Sequence, residues 1–234
     1  MDIQILEFVD GAKKATGLTV IIDVFRAFSV DCYVMNNGAE AIIPVETLDD
    51  AYGIKSEHPE YILIGERNED IPPGFDYGNS PTHIQYVDFT GKTVIQTTSA
   101  GTKGLTNAHK ASPLITGSFV NAQAIIDYIL YHSPSVVSLV AMGYGGYIHT
   151  EEDFLCAQYI RDRLFFKNPD FNNIKNRIKT SSGKRFFEIQ NQHKSPVTDF
   201  DLCLNLNVVD LIIQAQYDTR GRMFLSPLTS GTPK

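Results

Sequence analysis

The stretch "LTVIIDVFRAFSVDCYVMNNGAEAIIPV", Leu18 to Val45, decides how the chain is read. It opens on a nearly continuous β-branched run, Leu18 to Asp23, of the kind expected for a strand covered on both faces. A helix-compatible segment follows from Ala27 to Asn37, with Gly38 as a stop, and a second apolar run spans Ala41 to Val45. Strand, helix and strand in some thirty residues is the βαβ unit.

The same alternation continues outward. Further strands are predicted at Tyr61–Gly65, Lys92–Thr97, Pro113–Ser118 and Ser135–Gly143, and helices at Leu48–Ser56, Thr102–Ala108, Asn121–His132 and Glu151–Phe166. The expected class is α/β, a largely parallel or mixed sheet with helices on both faces. The last third is less regular. "KNPDFNNIKNRIKTSSGKR" reads as a polar surface helix and turn, and "DFDLCLNLNVVDLIIQA" as a helix followed by a late strand, Val208 to Ala215. These join the same core or form a small C-terminal lobe over residues 168–234 of a single domain, and the tail "SPLTSGTPK" is expected to be mobile.

At 234 residues the chain can bury a full core. A net charge of −7 argues against a nucleic-acid surface, so any anion site must be local. The N-terminus carries no secretory pattern and no apolar run approaches a membrane span. Three widely spaced cysteines form no disulfide framework or zinc spacing. These features point to a cytoplasmic protein with reduced thiols, and a homodimer is the base-rate expectation for its assembly.

In open α/β sheets, ligands bind beyond the carboxyl ends of the strands. The chain is polar at each of those ends. Asp23, Arg26 and Ser29 follow the first run; Glu66 and Arg67 follow "YILIG"; Thr97, Thr98, Ser99, Gly101 and Thr102 follow "KTVIQ"; Ser118 and Asn121 follow "PLITG"; Glu151, Glu152 and Asp153 follow "SLVAMGYGG". Arginines give bidentate donors to phosphate or sulfonate. Asp23, Glu66, Asp76 and Glu152 are hard oxygen donors of the kind Mg²⁺ prefers. Carboxylates and arginines on one rim point to a metal-bridged oxyanion substrate and to phosphoryl chemistry.

Other motifs fail on context. Gly91-Lys92-Thr93 lacks the upstream glycine of a P-loop and precedes a strand. "TTSAG" lacks the first glycine of a nucleophile elbow and any evident histidine for Ser99. "GYGG", Gly143 to Gly146, is not a dinucleotide fingerprint and instead shapes a loop before the acids. Of six scattered histidines, His149 stands nearest the acidic helix start.

Taken together, "VIIDVFRAFS", "NNGAEAIIPV", "GERN", "GFDYGNSP", "TTSAGT", "GSFVNAQA" and "TEEDFLCA" resemble the successive blocks of the 2-phosphosulfolactate phosphatase family, the ComB-like proteins. The resemblance implies an Mg²⁺-dependent phosphatase converting (2R)-2-phospho-3-sulfolactate to 3-sulfolactate and phosphate, a step toward coenzyme M or sulfolactate. Arg26, Arg67, Ser118 and Asn121 match family blocks and are the implied anion contacts. Asp23, Arg26, Glu66 and Arg67 form the expected catalytic set. Ser29, Asn79, Thr98, Ser99, Gly101, Thr102, Ser118 and Asn121 are expected to bind substrate, and Asp23, Glu66, Asp76 and Glu152 to hold Mg²⁺. Phe28 between Arg26 and Ser29, and Gln158 where the family favours glycine, depart from the pattern. So does the C-terminal block, unless "SSGKRFF" supplies its missing Gly-Arg approach. "GERNEDIPPGFDYGNSP" reads as a wall of the site, with Asn79 and Ser80 capping the helix that Pro81 begins. Asp23 would hold the metal or attack phosphorus itself. A phosphatase for another small phosphorylated acid and a non-catalytic anion binder are the alternatives.

Overall fold

A computed structural model describes residues 1–228. In chain order the elements are β1 (Asp2–Glu7), α1 (Phe8–Lys14), β2 (Gly17–Ile22), α2 (Ala27–Asn36), β3 (Ala41–Pro44), α3 (Leu48–Glu57), β4 (Ile62–Gly65) and β5 (Tyr77–Gly78). There follow α4 (Pro81–Ile84), β6 (Thr93–Thr97), α5 (Gly101–Asn107), β7 (Ala111–Gly117), α6 (Ala122–His132), β8 (Val136–Ala141), α7 (Glu151–Leu164), α8 (Phe171–Thr180), α9 (Val197–Cys203), β9 (Ile213–Tyr217) and β10 (Met223–Pro227).

The strands form one ten-stranded mixed sheet in the order β1-β8-β2-β7-β9-β10-β3-β6-β4-β5. Two four-stranded parallel blocks flank the β9–β10 hairpin, whose contacts with β7 and β3 are both antiparallel. Alternation along β2 explains the helices on both faces. Leu18, Val20 and Ile22 enter the core beneath α6 and α7, whereas Ile21 enters the one shared with α1, α2 and α5.

Helix α2 is enclosed, with nine of its ten residues buried, so its apolar character runs all round rather than along a stripe. It touches both blocks. Gln96 of β6 donates to the Ala27 carbonyl at 3.4 Å, and Cys32 Sγ lies 3.9 Å from Ser118 Oγ just past β7.

The six runs read as strands and the five helical stretches stand within a few residues of their expected bounds. Strand β1 escapes that reading because "DIQILE" mixes polar and apolar residues at a sheet edge. The late strand is shifted, since only Ile213–Ala215 of the expected 208–215 run pairs, and β9 continues to Tyr217. The expected mobile tail is corrected at Ser226 and Pro227, which end β10 by pairing with Gln214 and Ile213. Residues 229–234 lie outside the described part. All three cysteines are buried and free, and among the described residues no helix is long and apolar enough to cross a membrane.

Candidate functional site

The carboxyl ends of β2, β4, β6 and β8 open on one cleft of about 400 Å³. It contains Asp23, Arg26, Glu66, Arg67, Asn79, Thr98 and Ser99 from the expected set.

Asp23 is the first residue after β2 and is almost wholly buried, 5% exposed. Its Oδ1 accepts the Ala27 N–H at 3.1 Å, tying the carboxylate to the start of α2. Burial pushes its pKa up to about 7; the Ala27 N–H opposes this, and the charges of Glu152 and Glu66 add to it. No cation pairs with Asp23 among the described residues.

Behind it, Asp153 at the start of α7 accepts the Val24 N–H at 2.7 Å and the Gly143 N–H at 2.8 Å. It thus staples the loop after β2 to the loop after β8. Gly143 has φ +66°, and a Cβ there would lie 2.2 Å from the Ile148 carbonyl oxygen, so only glycine allows this turn. Burial, reinforced by Glu152 and Asp23, holds the Asp153 carboxyl well above the usual range.

Glu66 is placed by a close approach. A Cβ on the preceding Gly65 would stand 2.2 Å from the Thr97 carbonyl oxygen, which lets β4 end hard against β6. Glu66 Oε1 accepts the Ser99 N–H at 2.8 Å and Oε2 the Glu69 N–H at 3.0 Å. It therefore organises two cleft loops as well as lining the cavity. Arg67 donates to the carbonyls of Glu66 and Glu46 and to Thr97 Oγ1, and burial lowers its pKa against the pull of Glu66. Arg26 donates through one nitrogen, Nη1, to the Lys194 carbonyl at 2.8 Å and to Asp199 at 2.6 Å.

Several expected site residues do other work. Ser29 Oγ donates to the Val24 carbonyl, Thr102 Oγ1 to the Thr98 carbonyl, and Ser118 and Asn121 cap one another at a 3-10 turn. Gly101 lies behind Asp23, where a Cβ would meet Oδ2 at 3.0 Å. Asp76 is outside the cleft: its Oδ2 accepts the Leu63 N–H at 2.8 Å and stands 3.6 Å from Lys55. Glu152 is buried behind the wall rather than lining it, with Oε2 unpartnered and its pKa raised by burial. His149 pairs with Glu7. Ser80 precedes α4 without capping it, because its hydroxyl donates to Asp199, a charged acceptor that also takes the Thr82 N–H.

Two further cleft cations lie outside the expected set of site residues. Lys103, one turn into α5, sits 5.3 Å over the Tyr147 ring. Arg185, from "SSGKRFF", is held by Glu69 at 2.7 Å and the Phe25 carbonyl at 3.4 Å, and its Nε is buried without a partner. The fragment suspected of supplying the Gly-Arg approach thus brings an arginine to the cleft.

The donor set bears on Mg²⁺. Among the described residues no three acids, histidines or cysteines are grouped closely enough to hold an ion by themselves. Mg²⁺ commonly takes one or two carboxylates and completes its shell with water and phosphate oxygens. Asp23, without a cation, beside Glu66 and the unpartnered Asn79 Oδ1, fits that minimal set.

A sequence profile described as 2-phosphosulpholactate phosphatase matches residues 4–218. Similar proteins, each named probable 2-phosphosulfolactate phosphatase, include one from Clostridium perfringens, 30% identical over 89% of this chain and 90% of its own length. Those from Caldicellulosiruptor saccharolyticus and Carboxydothermus hydrogenoformans are 39% and 38% identical over 64% and 68% of this chain. In these two the match spans just under two thirds of the relative's own length, 64% and 66%. With a profile match across nearly all of its sequence, this chain belongs to the 2-phosphosulpholactate phosphatase family.

Proposed function

We propose that the cleft hydrolyses a small phosphate monoester bearing further anionic groups, with (2R)-2-phospho-3-sulfolactate as substrate and Mg²⁺ as cofactor. The observation that carries this reading is a buried carboxylate with no cation partner among the described residues, Asp23, in a cleft that also holds Arg26, Arg67, Lys103 and Arg185. Three anionic groups on a three-carbon acid repel one another; the four cations of the cavity stand beside four acids, Asp23, Glu46, Glu66 and Glu69, so the cations together with a bound divalent ion would offset that repulsion.

Asp23 is the proposed proton acceptor. Its carboxylate, ionised when it holds the metal, takes a proton from the attacking water and returns it to the departing alcohol oxygen. The Arg26 nitrogens not committed to Asp199, with Lys103 and Arg185, bind the phosphoryl and remaining acidic oxygens and stabilise charge as the ester bond breaks. Arg67, fixed by carbonyls, keeps the wall rigid and its positive charge close by. Asp23, with Glu66 beside it, would hold Mg²⁺, and the ion would supply charge neutralisation for the phosphoryl group and a more acidic water.

Phosphate release from 2-phosphosulfolactate, phospholactate and phosphoglycerate, with Mg²⁺ and again with EDTA, tests the proposal. Metal-dependent release fastest with phosphosulfolactate is expected. Release fastest with another acid moves the substrate, and no release from folded protein overturns the reading.

A further inference from the structure

Asp199 lies in α9, far along the sequence from every strand-end motif, and is completely buried. A buried carboxylate is costly unless charge-paired and hydrogen-bonded. Here both oxygens are filled. Oδ2 pairs with Arg26 Nη1 at 2.6 Å, while Oδ1 accepts from Ser80 Oγ at 2.8 Å, Thr82 N at 2.9 Å and Thr82 Oγ1 at 2.6 Å. One side chain therefore joins α9 to the residue that begins α2 and to the turn that carries Asn79 into the cleft. Arg26 is itself buried, and its other partner, the Lys194 carbonyl, is held by the same nitrogen. Its two remaining nitrogens have no partner among the described residues and are left for a ligand.

We infer that Asp199 is a positioning residue: held in place by Ser80 and Thr82, it fixes the Arg26 guanidinium in the geometry that receives the substrate phosphoryl group. The inference rests on the proposed role of Arg26 as an anion contact. Asp199 has no place on the cleft lining and acts only through Arg26.

The test compares wild type, Arg26→Ala, Asp199→Asn and the double variant. It reads phosphate release from 2-phosphosulfolactate with Mg²⁺ and, separately, calorimetric binding of inorganic phosphate. Asp199→Asn is expected to lower kcat/KM and phosphate affinity roughly 10- to 100-fold. In the Arg26→Ala background it should add less than about twofold, because a residue acting through Arg26 has nothing left to position. Low-millimolar guanidinium should restore part of the Arg26→Ala activity and none of the double variant's. Losses that multiply across the cycle, or equal rescue of both variants, overturn the inference. Should Asp199→Asn lose its cooperative melt, Ser80→Ala takes its place in the same cycle, with a loss of a few fold that Arg26→Ala again masks. Wild type that binds phosphate without turning over any substrate refutes the proposed activity, and the binding cycle still decides the role of Asp199.

Discussion

Replacing Asp23 with asparagine is expected to destroy turnover and, at pH 8, to make the protein more stable. The carboxyl is moved from 3.8 to about 7 chiefly by burial. Below pH 3.8 both folded and unfolded chains hold the proton and the fold carries no penalty. Between 3.8 and 7 the unfolded chain loses its proton first, so stability falls as pH rises, and above about 7 the loss is complete. Some three pK units at ~1.36 kcal/mol each give a penalty of about 4 kcal/mol at pH 8.

Asparagine removes that charge but keeps an oxygen for the Ala27 N–H. Its amide N–H₂ meets the Gly101 N–H, which favours the Asp23 carboxylate, at a cost of roughly 1–2 kcal/mol. The net gain is about 2–3 kcal/mol, worth roughly 5–10 °C in melting temperature for a chain of this size. The assay is thermal unfolding in EDTA at pH 8 and pH 4.5. At pH 4.5 only about 1 kcal/mol of penalty remains and the two proteins should melt together. Mg²⁺ added at pH 8 should raise the wild-type melting temperature and leave the variant unmoved. An Asp23→Asn protein that melts at or below wild type at pH 8 would refute the buried-charge reasoning.

Three further outcomes are expected. Arg185→Ala should raise KM for phosphosulfolactate roughly 10- to 100-fold with a smaller change in kcat, measured by steady-state phosphate release, since it removes a charge-assisted contact from the cleft. Asp76→Asn should leave turnover within about twofold of wild type, as its carboxylate faces Lys55 and the Leu63 amide outside the cleft; a collapse of metal-dependent activity would return Asp76 to the metal set. In Gly104→Ala the new Cβ would stand 2.5 Å from Met142 Sδ and 2.6 Å from Ile21 Cγ2, so denaturant titration should show a loss of about 1–3 kcal/mol, and no loss would mean the core yields there.

The parts of this fold that obey local rules are the parts the sequence makes legible. β-Branched runs identify β2, β3, β4 and β6 to β8, and a first polar residue after each marks Asp23, Glu66 and Thr98 as cleft residues. Which way a loop side chain turns has no such signal. Asp76 lies between two aromatic residues that sit on different neighbours, and its carboxylate is taken by the β4 backbone. Ser29, Ser118 and Asn121 look like anion contacts for the same reason that they are good caps: hydroxyls and amides satisfy backbone groups at helix starts. Arg185 and Asp199 reach the site by tertiary packing of the C-terminal helices, which periodicity does not encode.

The hairpin between the two parallel blocks has a bearing on biosynthesis. Among the described strands β9 and β10 leave the ribosome after the others, yet they occupy the middle of the sheet. Until they arrive, β7 and β3 present bare edges, each a template for pairing with another chain. Their attachment is narrow, since β10 meets β3 through the single Leu225–Ile42 register pair and β7 meets β9 through two. A chain cut after α9 would thus keep its helices and both parallel blocks but have no strand to seal them. Its fate would be aggregation rather than a smaller enzyme, which makes a late stop codon in this sequence as damaging as an early one.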